Sequence, residues 1–89
     1  MSNDVLKEIN IEFKEQECEG NYKFRGTWCA TQGFVAAFGE NARTIVALLM
    51  KSIWGIPKAD YLQVAIINGE KVFIIDDISH VTVLLAHEY

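Results

Sequence analysis

Residues 61–76, "YLQVAIINGEKVFIID", decide the fold. Two runs rich in β-branched and aromatic residues flank Asn68–Gly69, and this dipeptide is the strongest short signal for a two-residue hairpin turn. The turn fixes the register, so that Val64 lies opposite Phe73 in the hairpin. Both faces of the hairpin are largely apolar, which predicts that something covers each of them.

A second hairpin is predicted earlier in the chain. The segments "VLKEINIEFKEQ" (5–16) and "YKFRGTWCAT" (22–31) both alternate between apolar and polar residues, as half-buried strands do. Gly20–Asn21 lies between them and suits a two-residue turn, which would place Phe13 opposite Trp28. We therefore expect these two strands to be neighbours in the sheet.

The segment "GENARTIVALLMKSIWGIP" (39–57) predicts a helix that begins at Glu40 or Asn41 and ends at Gly55. Apolar residues cover most of the surface of this helix, which predicts burial on more than one side. The preceding residues 33–39 fit either a short strand or an earlier start of the helix, and the sequence leaves both open.

Residues 77–89 also fit two structures. As a strand, Val81, Val83 and Leu85 face one way. As a helix, the segment would take Asp77 as its N-cap. The β-branched Val-Thr-Val run favours the strand. The 89 residues thus predict a single α+β domain, with an antiparallel sheet of four to five strands and one main helix packed on one face.

The net charge of the chain is concentrated near its N-terminus. Residues 1–20 hold six acidic and two basic residues, so this segment carries the whole net charge of −4. An acidic strand repels phosphate and attracts basic protein surfaces, although the same charges also keep an edge strand soluble. Lys23 and Arg25, with Arg43, form only a minor basic patch, so nucleic acid is not the expected partner. A nucleotide or nucleic-acid binder that uses Lys23 and Arg25 stays as a third alternative.

The sequence also bears on whether the protein is membrane-bound, secreted or cytoplasmic. No uncharged apolar run approaches the ~18 residues that span a membrane. Residues 1–10 show neither the basic nor the apolar region of a secretory signal. Two cysteines, Cys18 and Cys29, are too few for a disulfide scaffold, and the predicted register does not pair them. We therefore expect a cytoplasmic protein without a disulfide.

Asp76, Asp77 and His80 are the candidates for a catalytic or metal site. Such a site needs oxygen and imidazole ligands that converge on one point, and adjacent aspartates in a strand–turn–strand point in different directions. Aspartates at strand ends more often accept hydrogen bonds from nearby backbone amides. A small metal- or carboxylate-dependent enzyme or small-molecule binder stays as the alternative; no metal or cofactor is expected.

The large apolar residues are the remaining evidence about function. One helix can cover only one face of the sheet, so something else must cover the other face. If residues 77–89 form a strand, that cover must come from another chain; if they form a helix, this segment could supply it. We predict a non-catalytic protein-binding domain that forms a homodimer. Apolar anchors would supply affinity, and acidic residues would orient a basic partner. The expected interface residues are Glu8, Glu12, Glu15, Glu17, Glu19, Trp28, Phe34, Met50 and Trp54. Such a chain also suits an inhibitor, of phage or mobile-element type, of a basic nucleic-acid-handling protein.

Overall fold

The computed structural model describes residues 9–15 and 19–89, which form one five-stranded sheet and two helices. The strands are β1 (Ile11–Phe13), β2 (Thr27–Ala30), β3 (Leu62–Ile67), β4 (Glu70–Asp76) and β5 (His80–Leu85). The helices are α1 (Gln32–Phe38) and α2 (Ala42–Trp54), and 3₁₀ turns cover Gly39–Asn41 and Ala86–Glu88. The predicted α+β class, with one main helix, is confirmed.

The strands lie in the order β1-β3-β4-β5-β2. Three of the neighbouring pairs are antiparallel, whereas β2 runs parallel to β5. The sheet is therefore mixed rather than wholly antiparallel. Both helices and the central hairpin separate β2 from β5 in the chain, so no tight turn forces these two strands to run antiparallel.

The central hairpin, β3 and β4, forms in the predicted register. Val64 pairs with Phe73 across the hairpin. Asn68 and Gly69 have φ angles of 49° and 86°, and a type I′ turn needs positive φ at both of its central residues. The local sequence therefore determines this part of the fold.

The predicted pairing of the first two strands is wrong. β1 pairs with β3, where Phe13 lies opposite Ala65, while β2 lies at the other edge of the sheet. Gly20 does not close a hairpin, because its amide donates to the Lys58 carbonyl (3.2 Å). A turn sequence indicates that the chain bends there. Which strand each flanking segment pairs with depends instead on where its apolar side chains are buried.

The segment that the sequence left open, residues 33–39, is helical. The Thr31 hydroxyl caps α1 by accepting a hydrogen bond from the Phe34 amide (3.2 Å). Gly39 ends α1 with a φ of 56°, a conformation that favours glycine. Asn41 then stands at the N-cap of α2, which confirms the predicted start of the main helix.

The core lies between α2 and one face of the sheet. Ile45, Leu49 and Ile53 form the buried stripe of the helix and are at most 1% exposed. They belong to one cluster with sheet residues that include Ala65, Val72, Ile74, Val81 and Val83. The prediction that α2 is buried on more than one side is wrong, because Leu48 is 38% exposed on its outer side. An apolar composition does not reveal how many neighbours the helix has.

The C-terminal segment forms β5, so the strand interpretation is confirmed. Val81, Val83 and Leu85 all face the core and are at most 5% exposed, as the alternation predicted. A central position between β4 and β2 explains the dense run of apolar residues, since each side of such a strand is paired.

Glu88 ties the C-terminal 3₁₀ turn to the start of α1. Its Oε1 accepts hydrogen bonds from the Thr31 hydroxyl (2.7 Å) and from the Leu85 amide (2.9 Å). These two bonds, with the Thr31 hydroxyl first, hold the pKa of the Glu88 carboxyl below its ordinary value of 4.5.

Acidification should release this contact. A carboxyl whose pKa is lower in the folded chain stabilises the fold above its unfolded pKa, and the effect is lost as pH falls through the folded pKa. We expect the NMR signals of the Thr31 and Leu85 amides to follow the titration of Glu88, with a midpoint below 4.5. Glu88→Gln, which keeps an acceptor oxygen, should remove that transition. A Glu88 midpoint at or above 4.5 would contradict the assignment.

The helical stretch Gln32–Trp54 is long and apolar enough to cross a membrane by length and composition, with a mean hydropathy of 1.2. The 3₁₀ turn at Gly39–Asn41 interrupts it, and its Ile45–Leu49–Ile53 stripe packs on the sheet. Arg43 and Lys51 also lie within it. We therefore treat this stretch as the helical layer of a globular domain.

Candidate interaction surface

The two faces of the sheet differ in burial. Along β3 buried and half-buried residues alternate strictly: Gln63, Ala65 and Ile67 face α2 and are at most 2% exposed. The intervening residues of β3 face the opposite side and are half-buried. On the same side of β4 and β5, Phe73, Ile75 and Thr82 are half-buried and Leu84 is 8% exposed. We call this second side the open face; it consists of Leu62, Val64, Ile66, Phe73, Ile75, Thr82 and Leu84.

The pairing register arranges the open face in rows across the sheet. Val64, Phe73 and Leu84 form the central row, since Val64 lies opposite Phe73 and Phe73 lies opposite Leu84. Leu62, Ile75 and Thr82 form the next row. The face is thus a continuous apolar surface across three neighbouring strands.

The C-terminal residue covers only part of this surface. The Tyr89 ring stands edge-on against Phe73, with ring centroids 5.5 Å apart and an interplanar angle of 80°. Tyr89 itself is 74% exposed. Lys71 Nζ lies 5.9 Å from the centre of the Phe73 ring, a cation–π distance. Among the described residues, Tyr89 and Lys71 are thus the two side chains with a ring or cation–π contact to Phe73.

Tyrosines extend the open face at the end where β4 and β5 join. Tyr22 and Tyr61 are 38% and 48% exposed, with ring centroids 6.1 Å apart. With Tyr89 they line a shallow groove of about 520 Å³ that also contacts Ile75 and Leu84. Tyrosine supplies large apolar contact area together with a polar hydroxyl, which is why it is enriched at protein interfaces.

Ile78 projects from the same end of the sheet. It is 78% exposed and has a φ of 70°, which is strained for a β-branched residue. The Asp76 carboxylate holds this conformation by accepting a hydrogen bond from the Ile78 amide (2.8 Å). An apolar side chain that is both exposed and strained does not serve the stability of the described chain.

Ile78→Gly should therefore stabilise the protein. Glycine adopts positive φ without the steric cost of a Cβ, so we expect the free energy of unfolding to rise by about 1 kcal/mol in urea denaturation. Ile78→Ala removes the exposed side chain but keeps the strain, and should change stability by less than about 0.5 kcal/mol. Equal effects of the two substitutions would show that strain is not relieved.

Charged residues border the open face at its other end. Glu12 lies opposite Ile66 on one side, and Lys71 lies opposite Ile66 on the other. Opposite residues in an antiparallel pair project from the same face, so one row presents an acid, an apolar residue and a base. Glu12 and Lys71 are both exposed, and the row has opposite charges at its two ends.

The predicted interface residues lie on different surfaces. Trp54 is 53% exposed, and Trp28 and Met50 are half-buried. Phe34 was wrongly placed at a surface: it is fully buried, because α1 turns it into the core. The acidic residues Glu12, Glu15 and Glu19 are exposed, whereas Glu8 and Glu17 lie outside the described residues.

The Asp76 carboxylate accepts hydrogen bonds from the backbone of two loops. Its Oδ2 accepts a hydrogen bond from the Phe24 amide (3.0 Å), and its Oδ1 accepts one from the Ile78 amide (2.8 Å). Asp76 is 6% exposed, while Asp77 is exposed. His80 Nδ1 lies 3.0 Å from the Ser79 hydroxyl. Within residues 9–15 and 19–89, no group of three or more His, Cys, Asp or Glu side chains is placed to hold a metal ion.

Sequence patterns missed Tyr22, Tyr61 and Ile78 as surface residues. Ile78 gave a usable signal, because an isoleucine between Asp77 and Ser79 in a turn has little reason to be buried. Tyr22 and Tyr61 gave none, since they are 39 positions apart and meet only through the fold.

Comparisons with protein-family models, with curated proteins and with solved structures found no match to this chain.

Proposed function

We propose that this protein is a non-catalytic protein-binding domain, and that its first partner is a second copy of itself, bound through the open face. The observation that carries the proposal is the half-buried apolar row of Val64, Phe73 and Leu84 on the side of the sheet away from the helices. Two such faces packed together form a β-sandwich core about 10 Å thick.

The charges that border the open face favour a second copy over an unrelated partner. In a two-fold arrangement with its axis along β3, Glu12 of each copy would lie against Lys71 of the other. The apolar Ile66 lies between them in the same row, so it would meet itself at the axis. A surface that is complementary to itself is what an isologous dimer requires.

The solution mass tests this proposal. Light scattering on a sizing column, over a protein concentration series at low and high salt, should give about twice the chain mass of 10.1 kDa. Apolar contacts dominate the proposed interface, so the dimer should persist at high salt, where exposed ion pairs are screened. A mass of one chain at every concentration up to the millimolar range would overturn the proposal.

A second candidate activity is the binding of a basic protein by the acidic residues near β1. Glu12, Glu15 and Glu19 are all exposed, which supports a role in attracting such a partner. We propose that the dimer acts in the cytoplasm, where it would suit an inhibitor of a nucleic-acid-handling protein from a phage or mobile element. Binding to such a protein should weaken as salt rises and after substitution of the three glutamates by glutamine.

A further inference from the structure

A second concave surface lies beside the C-terminus of α2 and is separate from the open face. This groove, of about 290 Å³, lies between residues 21–23 and Arg25 on one side and residues 53–58 on the other. Lys23, Arg25 and Lys58 line it together with Trp54. We propose that it is a binding site for a nucleoside phosphate, with the base against Trp54 and the phosphate among the three basic side chains.

The three basic residues are exposed, and no ion pair joins them to an acidic residue within 9–15 and 19–89. Like charges around one groove raise each other's energy, and a bound anion removes that repulsion. This concentration of positive charge stands out because the net charge of the protein is −4.

Hydrogen bonds fix the Trp54 ring that lines the groove. Trp54 Nε1 donates to the Phe24 carbonyl (2.7 Å), which also accepts a hydrogen bond from Trp28 Nε1 (3.0 Å). The Phe24 amide in turn donates to the buried carboxylate of Asp76 (3.0 Å). Trp54 is nevertheless 53% exposed, so a positioned indole ring is available for stacking.

Backbone strain occurs at the groove and directly beside it. Lys58, which lines the groove, has a φ of 53°, and Phe24, between the lining residues Lys23 and Arg25, has a φ of 54°. Two hydrogen bonds hold the walls together, from the Gly20 amide to the Lys58 carbonyl (3.2 Å) and from the Tyr22 amide to the Ala59 carbonyl (3.1 Å). Strained residues that the surrounding structure maintains are concentrated at ligand sites, so this arrangement points to a built site.

The chemistry of the lining selects the ligand class. An exposed tryptophan stacks on nucleobases, and lysine and arginine form charge-assisted hydrogen bonds with phosphate. A volume of about 290 Å³ lies at the lower end of small-molecule sites, which suits one nucleotide. Of the residues that the structure describes, three basic ones line the groove. The acidic residues near β1 repel a long phosphate backbone, so a polymer is disfavoured.

Titration with AMP, adenosine and inorganic phosphate, followed by amide NMR, tests the site. AMP should shift the signals of residues 21–25 and 53–58 and bind at least about tenfold more tightly than adenosine or phosphate, because only AMP offers both contacts. Arg25→Gln and Lys58→Gln should each weaken AMP binding about tenfold. Lys51→Gln, which removes the same charge from an exposed position on α2, should leave affinity within about twofold.

A matched pair of variants separates stacking from folding. Trp54→Phe and Trp54→Leu both lose the indole N–H that bonds to the Phe24 carbonyl, but only phenylalanine keeps an aromatic ring. AMP binding should be about tenfold weaker for the leucine variant than for the phenylalanine variant. Equal affinities would overturn the role of the ring.

Three other outcomes would overturn the proposal itself. The first is that AMP at millimolar concentration leaves the groove signals unchanged. The second is that Lys51→Gln weakens binding as much as Arg25→Gln, which would mean diffuse charge attraction rather than a site. The third is that a short single-stranded oligonucleotide binds through the groove residues while AMP does not, which would assign the groove to nucleic acid.

Discussion

Asp76→Ala is expected to lower the free energy of unfolding by about 3 kcal/mol. The substitution leaves the Phe24 and Ile78 amides without the carboxylate oxygens that accept their hydrogen bonds. Asp76 is only 6% exposed, so water cannot replace both bonds at no cost. Urea denaturation followed by tryptophan fluorescence measures the effect, at one fixed protein concentration because dimerisation would itself add stability.

The neighbouring aspartate supplies a matched control. Asp77 is exposed, so Asp77→Ala should change stability by less than about 0.5 kcal/mol. Asp76→Asn keeps one acceptor oxygen and should fall between the two alanine variants. Equal costs for Asp76→Ala and Asp77→Ala would contradict a structural role that is specific to Asp76. The comparison also bears on the carboxylate-site alternative, since asparagine at both positions would abolish any activity that needs these acids.

Phe73→Glu is expected to raise the dissociation constant of the dimer by at least about a hundredfold. Phe73 lies in the central row of the open face, and burial of a carboxylate there against the second copy costs desolvation energy that a phenyl ring does not. Sedimentation or light scattering over a concentration series gives the constant. Leu48→Glu makes the same kind of change on the outer side of α2, where Leu48 is 38% exposed, and should leave the dimer intact.

The result of this pair locates the interface. A dimer that Leu48→Glu disrupts and Phe73→Glu does not would place the contact on the helices and overturn the proposal for the open face. Circular dichroism of each variant as a monomer shows whether it remains folded. This check matters because Phe73 also contacts Tyr89 within the chain.

Charge exchange tests the two-fold register more finely. In the proposed arrangement, E12K alone sets two lysines against each other, and K71E alone sets two glutamates against each other. Each variant should therefore dimerise more weakly than the natural chain. A mixture of the E12K and K71E chains should form heterodimers, because each pair then again joins opposite charges. Failure of the mixture to recover association would reject this register while leaving the Phe73 test unaffected.

The sequence alone determined the parts of the fold that depend on near neighbours. Asn68–Gly69 fixed the hairpin of β3 and β4, because only a few residues tolerate positive φ at both turn positions. The Val-Thr-Val run determined β5, and Asn41 marked the start of α2. In each case the physical preference lies within a few consecutive residues, and the structure confirms it.

The parts that were mispredicted depend on distant residues. Gly20–Asn21 indicates a bend in the chain, but it does not indicate which strand follows as a neighbour. β1 pairs with β3 and β2 pairs with β5, because tertiary packing decides which edge of the sheet each strand joins. Phe34 is a large aromatic residue of the kind that anchors interfaces. Only the course of α1 shows that it lies in the core instead. Hydrophobicity indicates that a residue avoids water, but it does not indicate which neighbour covers it.

The candidate sites divide in the same way. The sequence determined that one helix leaves one side of the sheet for another cover, because that follows from the number and type of elements. Only the tertiary structure decided which side is open, and only it brought Trp54 and Lys58 into one groove with Arg25. Those residues lie up to 33 positions apart, and long-range contacts of this kind form through packing, which no local pattern records.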